Sequence, residues 1–385
     1  MGIRAPIITE GDKVANIVVD SVIKASQEGG FSINDKDVIG VTEAIVARAQ
    51  GNYASLDQIS ADVREKFPEG EVGVVFPIFS RNRFSLILKA IAFAVRKLYL
   101  ILSYPSDEVG NRLISLEALD AKKINPYTDS FDEAKFRELF GEHVYHEFTG
   151  IDYVDYYKSL SDNIDIYFSN DPCTVLKYTP YVIAADIHSK ERTKRLLREA
   201  GADRVIGLDD ILRAPVGGSG FNSDFGLLGS NMADDDRVKL FPRDCSDFVK
   251  EVQGMIMEKN GKRVEVLVYG DGAYKDPVIG IWELADPVVS PAYTEGLSGR
   301  PSELKLKYLA DSKFKGIKGE ELERAIRESI SEKDAGSVDV ELSQGTTPRR
   351  ISDLLGSLCD LTSGSGDKGT PIILIQGYFD DYSRE

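Results

Sequence analysis

The chain has 385 residues, with 47 Lys plus Arg against 63 Asp plus Glu and a net charge of −16. That balance excludes a general binder of nucleic acid or anionic membrane, because no global positive field draws phosphate toward the surface. An apolar fraction of 42% with 29% charge is that of a folded chain, and the length suits two to three domains or one large domain carrying an insertion.

Residues 12–28 place Val14, Ile17, Val18 and Val22 on one helical stripe, which Gly29 and Gly30 stop. A short apolar strand over 37–41 runs into a helix capped by Thr42. Ser55 and Gln58 form a capping-box pattern that opens the next helix. Residues 72–76 read as a buried strand, a helix follows from Ser80 to about Val95, and 98–102 is again a strand. The apolar stretch 84–104 is interrupted by Lys89, Arg96 and Lys97, so it does not read as a membrane span. Strands at 164–168 and 181–185, a helix at 190–200 and a strand at 204–207 continue the α/β rhythm. A helix at 245–258, a strand at 264–269, a helix at 350–360 and a strand at 371–376 complete the reading. The segment 332–348 is expected to be mobile. The expected organisation is an α/β core formed by 1–104 and 201–385, with 105–200 inserted. Three distant cysteines, Cys173, Cys245 and Cys359, imply reduced thiols, and the N-terminus has no signal-peptide pattern, so a cytoplasmic protein is expected.

Four constellations could carry chemistry. In 362–371, glycines among Ser363, Ser365, Asp367 and Lys368 let backbone N–H groups converge on an anion. The same residues also make a plain glycine turn, and a following strand argues against a dinucleotide fingerprint. Asp271, between Gly270 and Gly272 at a strand end, suits a hard cation or a hairpin turn, and Lys275, Asp276, Glu283 and Asp286 nearby favour a polar site. Residues 222–231 hold Gly and Asn in a pattern that allows close approach of backbone to a ligand, and the acidic run 234–236 that follows reads as a solvated loop. Arg81 and Arg83 open a helix and can clamp a carboxylate or phosphate, or simply form surface ion pairs. His143, His146 and His188 complete no metal signature.

At these motifs the sequence resembles the coenzyme F420-0:L-glutamate ligase (γ-glutamyl ligase) family, in its longer bacterial branch. The resemblance runs through 8–12, 37–43, 48–51, 226–231, 261–271 and 364–377. It implies a mixed α/β fold of γ-glutamyl ligase type with an inserted α/β region, and an intertwined homodimer. It also implies a GTP-dependent (ATP is possible) amide ligase that uses Mg²⁺ or Mn²⁺. Such an enzyme activates a small-molecule carboxylate, of F420-0 or a folate-like cofactor, as an acyl phosphate and joins an amino acid, glutamate, to it. By resemblance Asp271 is the catalytic and metal-binding carboxylate, with Asp224 or Asp367 as further metal ligands. Nucleotide contacts fall to Thr42, Glu43, Arg48 and Asn231 and to Ser363, Gly364, Ser365, Gly366, Asp367, Lys368 and Gly369; Arg81 and Arg83 take the acidic substrate. Leu228 and Ser365 stand where the family has a metal-binding Asp and Glu, which motivates the alternative of a non-catalytic nucleotide- or metabolite-binding protein on the same fold.

Overall fold

The computed structural model describes residues 1–81, 83–147, 149–270, 290–299, 304–331, 350–364 and 368–380. The strands are β1 (Gly2–Ile3), β2 (Val38–Thr42), β3 (Tyr53–Ser55), β4 (Glu71–Val75), β5 (Lys97–Leu102), β6 (Phe131–Asp132), β7 (Ile164–Phe168), β8 (Tyr181–Ala184), β9 (Arg204–Gly207), β10 (Asn231–Met232), β11 (Arg237–Lys239), β12 (Glu265–Tyr269), β13 (Ala292–Tyr293) and β14 (Ile372–Ile375). The α-helices are α1 (Val14–Gly29), α2 (Glu43–Ala49), α3 (Leu56–Lys66), α4 (Phe84–Ala94), α5 (Leu116–Lys122), α6 (Glu133–Phe140), α7 (Tyr153–Ser159), α8 (Lys190–Glu199), α9 (Cys245–Asn260), α10 (Leu306–Asp311), α11 (Glu320–Ser331) and α12 (Ile351–Ser363). Local signals mark many of their starts. Thr42 caps α2 through Ala44 N–H, and both reciprocal bonds of the Ser55–Gln58 capping box are made at α3.

The described residues form three sheets. The first has strand order β1-β14-β2-β12-β13, with β2 and β12 parallel and the other neighbours antiparallel. Its side chains alternate between two apolar layers. Ile39, Val41, Val266, Val268, Ile372 and Leu374 pack with α1 and α9, while Val38, Leu267, Tyr269 and Ile373 pack with Ile351, Leu355 and Cys359 of α12. Both faces are covered, so these strands read as continuous apolar runs rather than as alternating ones. Helix α12 lies so close to β2 that a Cβ on Gly40 would stand 2.2 Å from Cys359 Sγ.

The second sheet has order β6-β7-β5-β4-β8-β9, and all but β6 are parallel. The chain builds β4, β5 and β7 outward in one direction, then returns to lay β8 and β9 on the other side of β4. This is the doubly wound arrangement, with its switch point between β4 and β8. One face packs α3, α4, α6 and α7; the other packs α8 and residues 172–177. Strands β4 and β5 precede residue 105 yet share this sheet with β7 and β8. The third sheet, β10-β11-β3, is small and antiparallel. None of its strands carries enough alternating residues to announce itself in sequence. No described helix is long and apolar enough to cross a membrane.

Candidate functional site

Parallel pairing places the ends of β2 and β12 side by side, with Thr42 opposite Tyr269. Antiparallel β14 begins at the same edge, where Thr42 N–H donates to Pro371 O at 3.0 Å. Three motifs far apart in sequence therefore share one sheet edge: Thr42 with Glu43, the strand leading to Gly270, and the loop ending at Thr370. The register of the sheet, rather than any local feature, brings them together.

Glu43 begins α2 and is buried at 2% exposure. Its Oε1 accepts from Lys239 Nζ at 2.7 Å, and the ammonium is itself largely enclosed. Lys239 sits on β11 directly opposite Asn231 of β10 and next to Tyr53 of β3. The third sheet thus delivers Asn231 and a partly buried lysine to the start of α2. Sequence reasoning selected Glu43 and Asn231 and missed Lys239. The available signal was one lysine in an otherwise apolar run, Val238 to Phe241.

Beside Glu43 opens a cavity of about 290 Å³ between the 221–225 loop, the start of α9 and Pro291. The loop is anchored by Asn52, whose Oδ1 accepts Phe221 N–H at 2.9 Å and Arg243 Nη1 at 2.6 Å. Asn222 Nδ2 donates to Phe241 O and Pro242 O from the other side. Arg243 and Asn52 are further residues that the sequence did not single out. Asp224 lies on the cavity rim, exposed, with no ion pair among the described residues. Cys245, at the start of α9, lines the cavity; burial, reinforced by the Glu43 carboxylate, pushes its thiol up to about 12. It stays protonated and is no nucleophile. Leu228 packs against the large apolar core, so its side chain is apolar filling for the 222–231 loop.

The remaining candidates are distributed unevenly. Arg48 is exposed in the last turn of α2, five residues past Glu43. Ser363 is the last residue of α12, not part of the following loop, and its Oγ donates to Asp360 O. Gly364 ends that helix with φ 74°, and the Lys368 side chain folds against it. Lys368 and Gly369 are exposed, and Gly369 also has positive φ. The loop therefore follows a helix C-terminus, whose partial negative charge disfavours phosphate, and among the described residues of the loop Lys368 is the cation that would offset it. Arg81 and Arg83 lie on the loop after β4, at the carboxyl edge of the second sheet. Asp271, Lys275, Asp276, Glu283, Asp286, Ser365, Gly366 and Asp367 lie outside the described residues, as does the segment 332–348.

The metal-ligand question narrows accordingly. Of the three proposed ligands only Asp224 is described, and its unpaired, exposed carboxylate is the kind of donor a hard cation takes. Among the described residues, His143, Asp152 and Asp155 bring possible ligand atoms within 4.8 Å of one another. Arg137 holds that group together, donating to Asp152 at 2.7 Å and to Asp155 at 2.6 Å, while Asp152 also caps α7. It is an ion-pair knot.

The family model for F420-0:Gamma-glutamyl ligase matches residues 2–377, and the chain belongs to that family. No curated protein matches it in sequence. The mixed α/β architecture described above is the one expected of such a ligase.

Proposed function

We propose that this member of the γ-glutamyl ligase family is a nucleotide- and divalent-metal-dependent ligase that joins an amino acid, glutamate, to a small-molecule carboxylate such as that of F420-0 or a folate-like cofactor. The observation that carries the reading is the convergence of the ends of β2 and β12 with the start of β14, near the Glu43–Lys239 ion pair and Asn231. In the proposed reaction an oxygen of the acceptor carboxylate attacks the terminal phosphorus of GTP or ATP and the diphosphate leaves. The amine then attacks the acyl carbon, an amide forms, and inorganic phosphate leaves with the activating oxygen. Mg²⁺ or Mn²⁺, held by Asp271 with Asp224 or Asp367, would neutralise phosphate charge. Thr42, Glu43, Asn231 and residues 363–369 would surround the nucleotide, with Arg48 and Lys368 as exposed cations for its phosphates. Lys239, ion-paired with Glu43, holds a partly enclosed positive charge at the start of α2, where an ammonium acts more strongly than one in water. Arg81 and Arg83 would engage an acidic substrate. A homodimer is proposed with the family.

The alternative, a nucleotide- or metabolite-binding protein without turnover, is favoured by Leu228, which offers the core an apolar side chain at a point where the chemistry calls for a carboxylate. Phosphate release decides between them, measured with GTP or ATP, Mg²⁺ or Mn²⁺, L-glutamate and a panel of small acids. Turnover that needs metal and both organic substrates, and that Asp271→Asn abolishes in a folded protein, supports the ligase. Nucleotide binding without turnover under every combination supports the binder.

A further inference from the structure

The doubly wound sheet has its own carboxyl edge. In such sheets the loops diverge at the switch point and leave a crevice outside the strand ends. Here that point lies between β4 and β8. The loops after β4, β5 and β8 meet there, pinned by an apolar contact among Ile78, Val109 and Ile187. Helix α8 begins at this edge, and Ser189 caps it without a side-chain hydrogen bond.

A carboxylate is already bound there. Glu108, from the loop after β5, accepts from Ile187 N–H at 2.5 Å, from His188 N–H at 3.2 Å and from Ser189 N–H at 3.2 Å. Three successive amides thus form a carboxylate-shaped nest, filled by the chain's own side chain. Glu108, His188 and Ser189 are exposed, so the nest opens to solvent.

The second observation is Asp186, the residue immediately before the nest, which is 2% exposed. Its Oδ2 accepts from Thr193 Oγ1 of α8 at 2.8 Å. Its Oδ1 is buried with no partner among the described residues. Asp186 directly precedes Ile187, whose amide is the first of the nest, and the Glu108 charge lies close enough to act on its carboxyl. A buried acceptor without a donor is costly to maintain in a structure where almost all are satisfied. Asp107, the other carboxylate of the Glu108 loop, shows the contrast. It is buried and accepts from Phe79 N–H, Val109 N–H, Asn111 N–H and Asn111 Nδ2, which makes it a fully used structural group.

We propose that this crevice is a second ligand site for a small α-amino acid, whose carboxylate takes the place of Glu108 on the Ile187–Ser189 amides while its ammonium donates to Asp186 Oδ1. The nest fixes the acid end, because a carboxylate is what it holds now. The surrounding carboxylates favour a cation over a neutral hydroxyl at the other end. Exposed Arg81, on the loop after β4, supplies a cation at the same edge for a second carboxylate, which favours glutamate within the class. Glu108 then acts as an internal competitor that lowers apparent affinity until it is displaced.

The test is calorimetric titration of the full chain, without nucleotide or metal, using L-glutamate, L-alanine, glutarate and inorganic phosphate as probes. Removing the competitor in Glu108→Ala should tighten L-glutamate about tenfold or more, because the open fraction rises. Glu108→Gln weakens the competitor without deleting its contacts and should shift affinity the same way, which keeps the test alive if the alanine variant does not fold. Asp186→Asn should weaken both amino acids about tenfold, the value of one charge-assisted hydrogen bond, and leave glutarate unchanged. Three results overturn the proposal: no binding of either amino acid to wild type or to the folded Glu108 variants, unchanged L-glutamate affinity in Asp186→Asn, or preference for phosphate over both amino acids. Isotope-labelled glutamate with nucleotide, Mg²⁺ and an acceptor separates the two sources of the ligand. Label in an amide product with a KM for glutamate that rises in Asp186→Asn makes the crevice the amino-acid subsite of a ligase; label incorporated with an unchanged KM, or recovered unchanged, makes it a separately held effector site. Binding is read without turnover, so a failed ligase reading and a failed crevice give different results.

Discussion

Asp186→Asn offers the sharpest check on the electrostatics of the second sheet. Burial, with the nearby Glu108 charge, pushes the Asp186 carboxyl from 3.8 up to about 7. A displacement of that size corresponds to about 4 kcal/mol against the ionised form, and relaxation around the charge trims this to about 2–4 kcal/mol. The sign follows from the raised value. The favourable contribution of the neutral carboxyl is fully present below the ordinary carboxylate pKa and is lost as pH rises through about 7. Asparagine has the same shape and cannot ionise, so it is spared this loss. Urea unfolding of both proteins, followed by circular dichroism at intervals from acid to mildly alkaline pH, measures the difference directly. Below the ordinary carboxylate range the two should differ by no more than about 1 kcal/mol, the price of fitting an amide for a protonated acid. Wild type should then fall behind the variant by about 2–4 kcal/mol across neutrality. A difference that stays constant over the whole range refutes the reasoning, because it means that Asp186 ionises in the folded protein as easily as in the unfolded one.

Other substitutions test separate parts of the structure. Glu43→Gln or Lys239→Met removes one half of a largely enclosed ion pair and should cost about 2–4 kcal/mol in chemical unfolding, whereas Glu43→Leu combined with Lys239→Met should cost much less than the sum. Gly40→Ala drives a Cβ into Cys359 Sγ and should destabilise by about 1–3 kcal/mol, and Cys359→Ala in the same chain should recover much of the loss. Ser55→Ala removes one half of the capping box at α3 and should lower stability by about 1 kcal/mol, with Ser55→Gly losing only a few tenths. Asp107→Ala strips the acceptor from three backbone N–H groups at once and should cost about 2–4 kcal/mol, read as a lower urea midpoint.

Sequence reasoning reached the elements whose signals are local. Helix α3 announces itself through Ser55 and Gln58, α2 through Thr42, and β2, β4, β5, β7 and β12 through apolar runs bounded by polar or glycine residues. It also singled out Glu43 and Asn231, from a resemblance rather than from any pattern, and the structure brings both to the neighbourhood of Lys239. What escaped it was set by pairing across distance. Strands β1, β3, β10, β11 and β13 have two or three residues each, too few to show a period, and exist because a neighbouring strand offers hydrogen bonds. Lys239 is one such case, a lysine on a three-residue strand whose meaning depends on Glu43, 196 residues earlier.

The same logic governs the two sheet edges. A carboxyl edge becomes a ligand surface because parallel strands end together and release their loops in one direction, which no window of sequence records. Strand β4, reached at residue 71, lies at the centre of the second sheet, and its loop carries Arg81 and Arg83. Their place beside the loops of β5 and β8 follows from the return of the chain at β8, more than 100 residues later. Asp107, Glu108 and Asp186 look alike as letters, one acidic side chain after another in polar turns. Topology gives them three fates: one carboxylate saturated by four donors, one lodged on backbone amides, and one buried with an oxygen to spare. Exchanging a saturated carboxylate's partners gains nothing, and displacing Glu108 gives up its backbone hydrogen bonds, so a ligand's gain would have to come from matching those bonds on the amides and from supplying Asp186 Oδ1 with the donor it lacks.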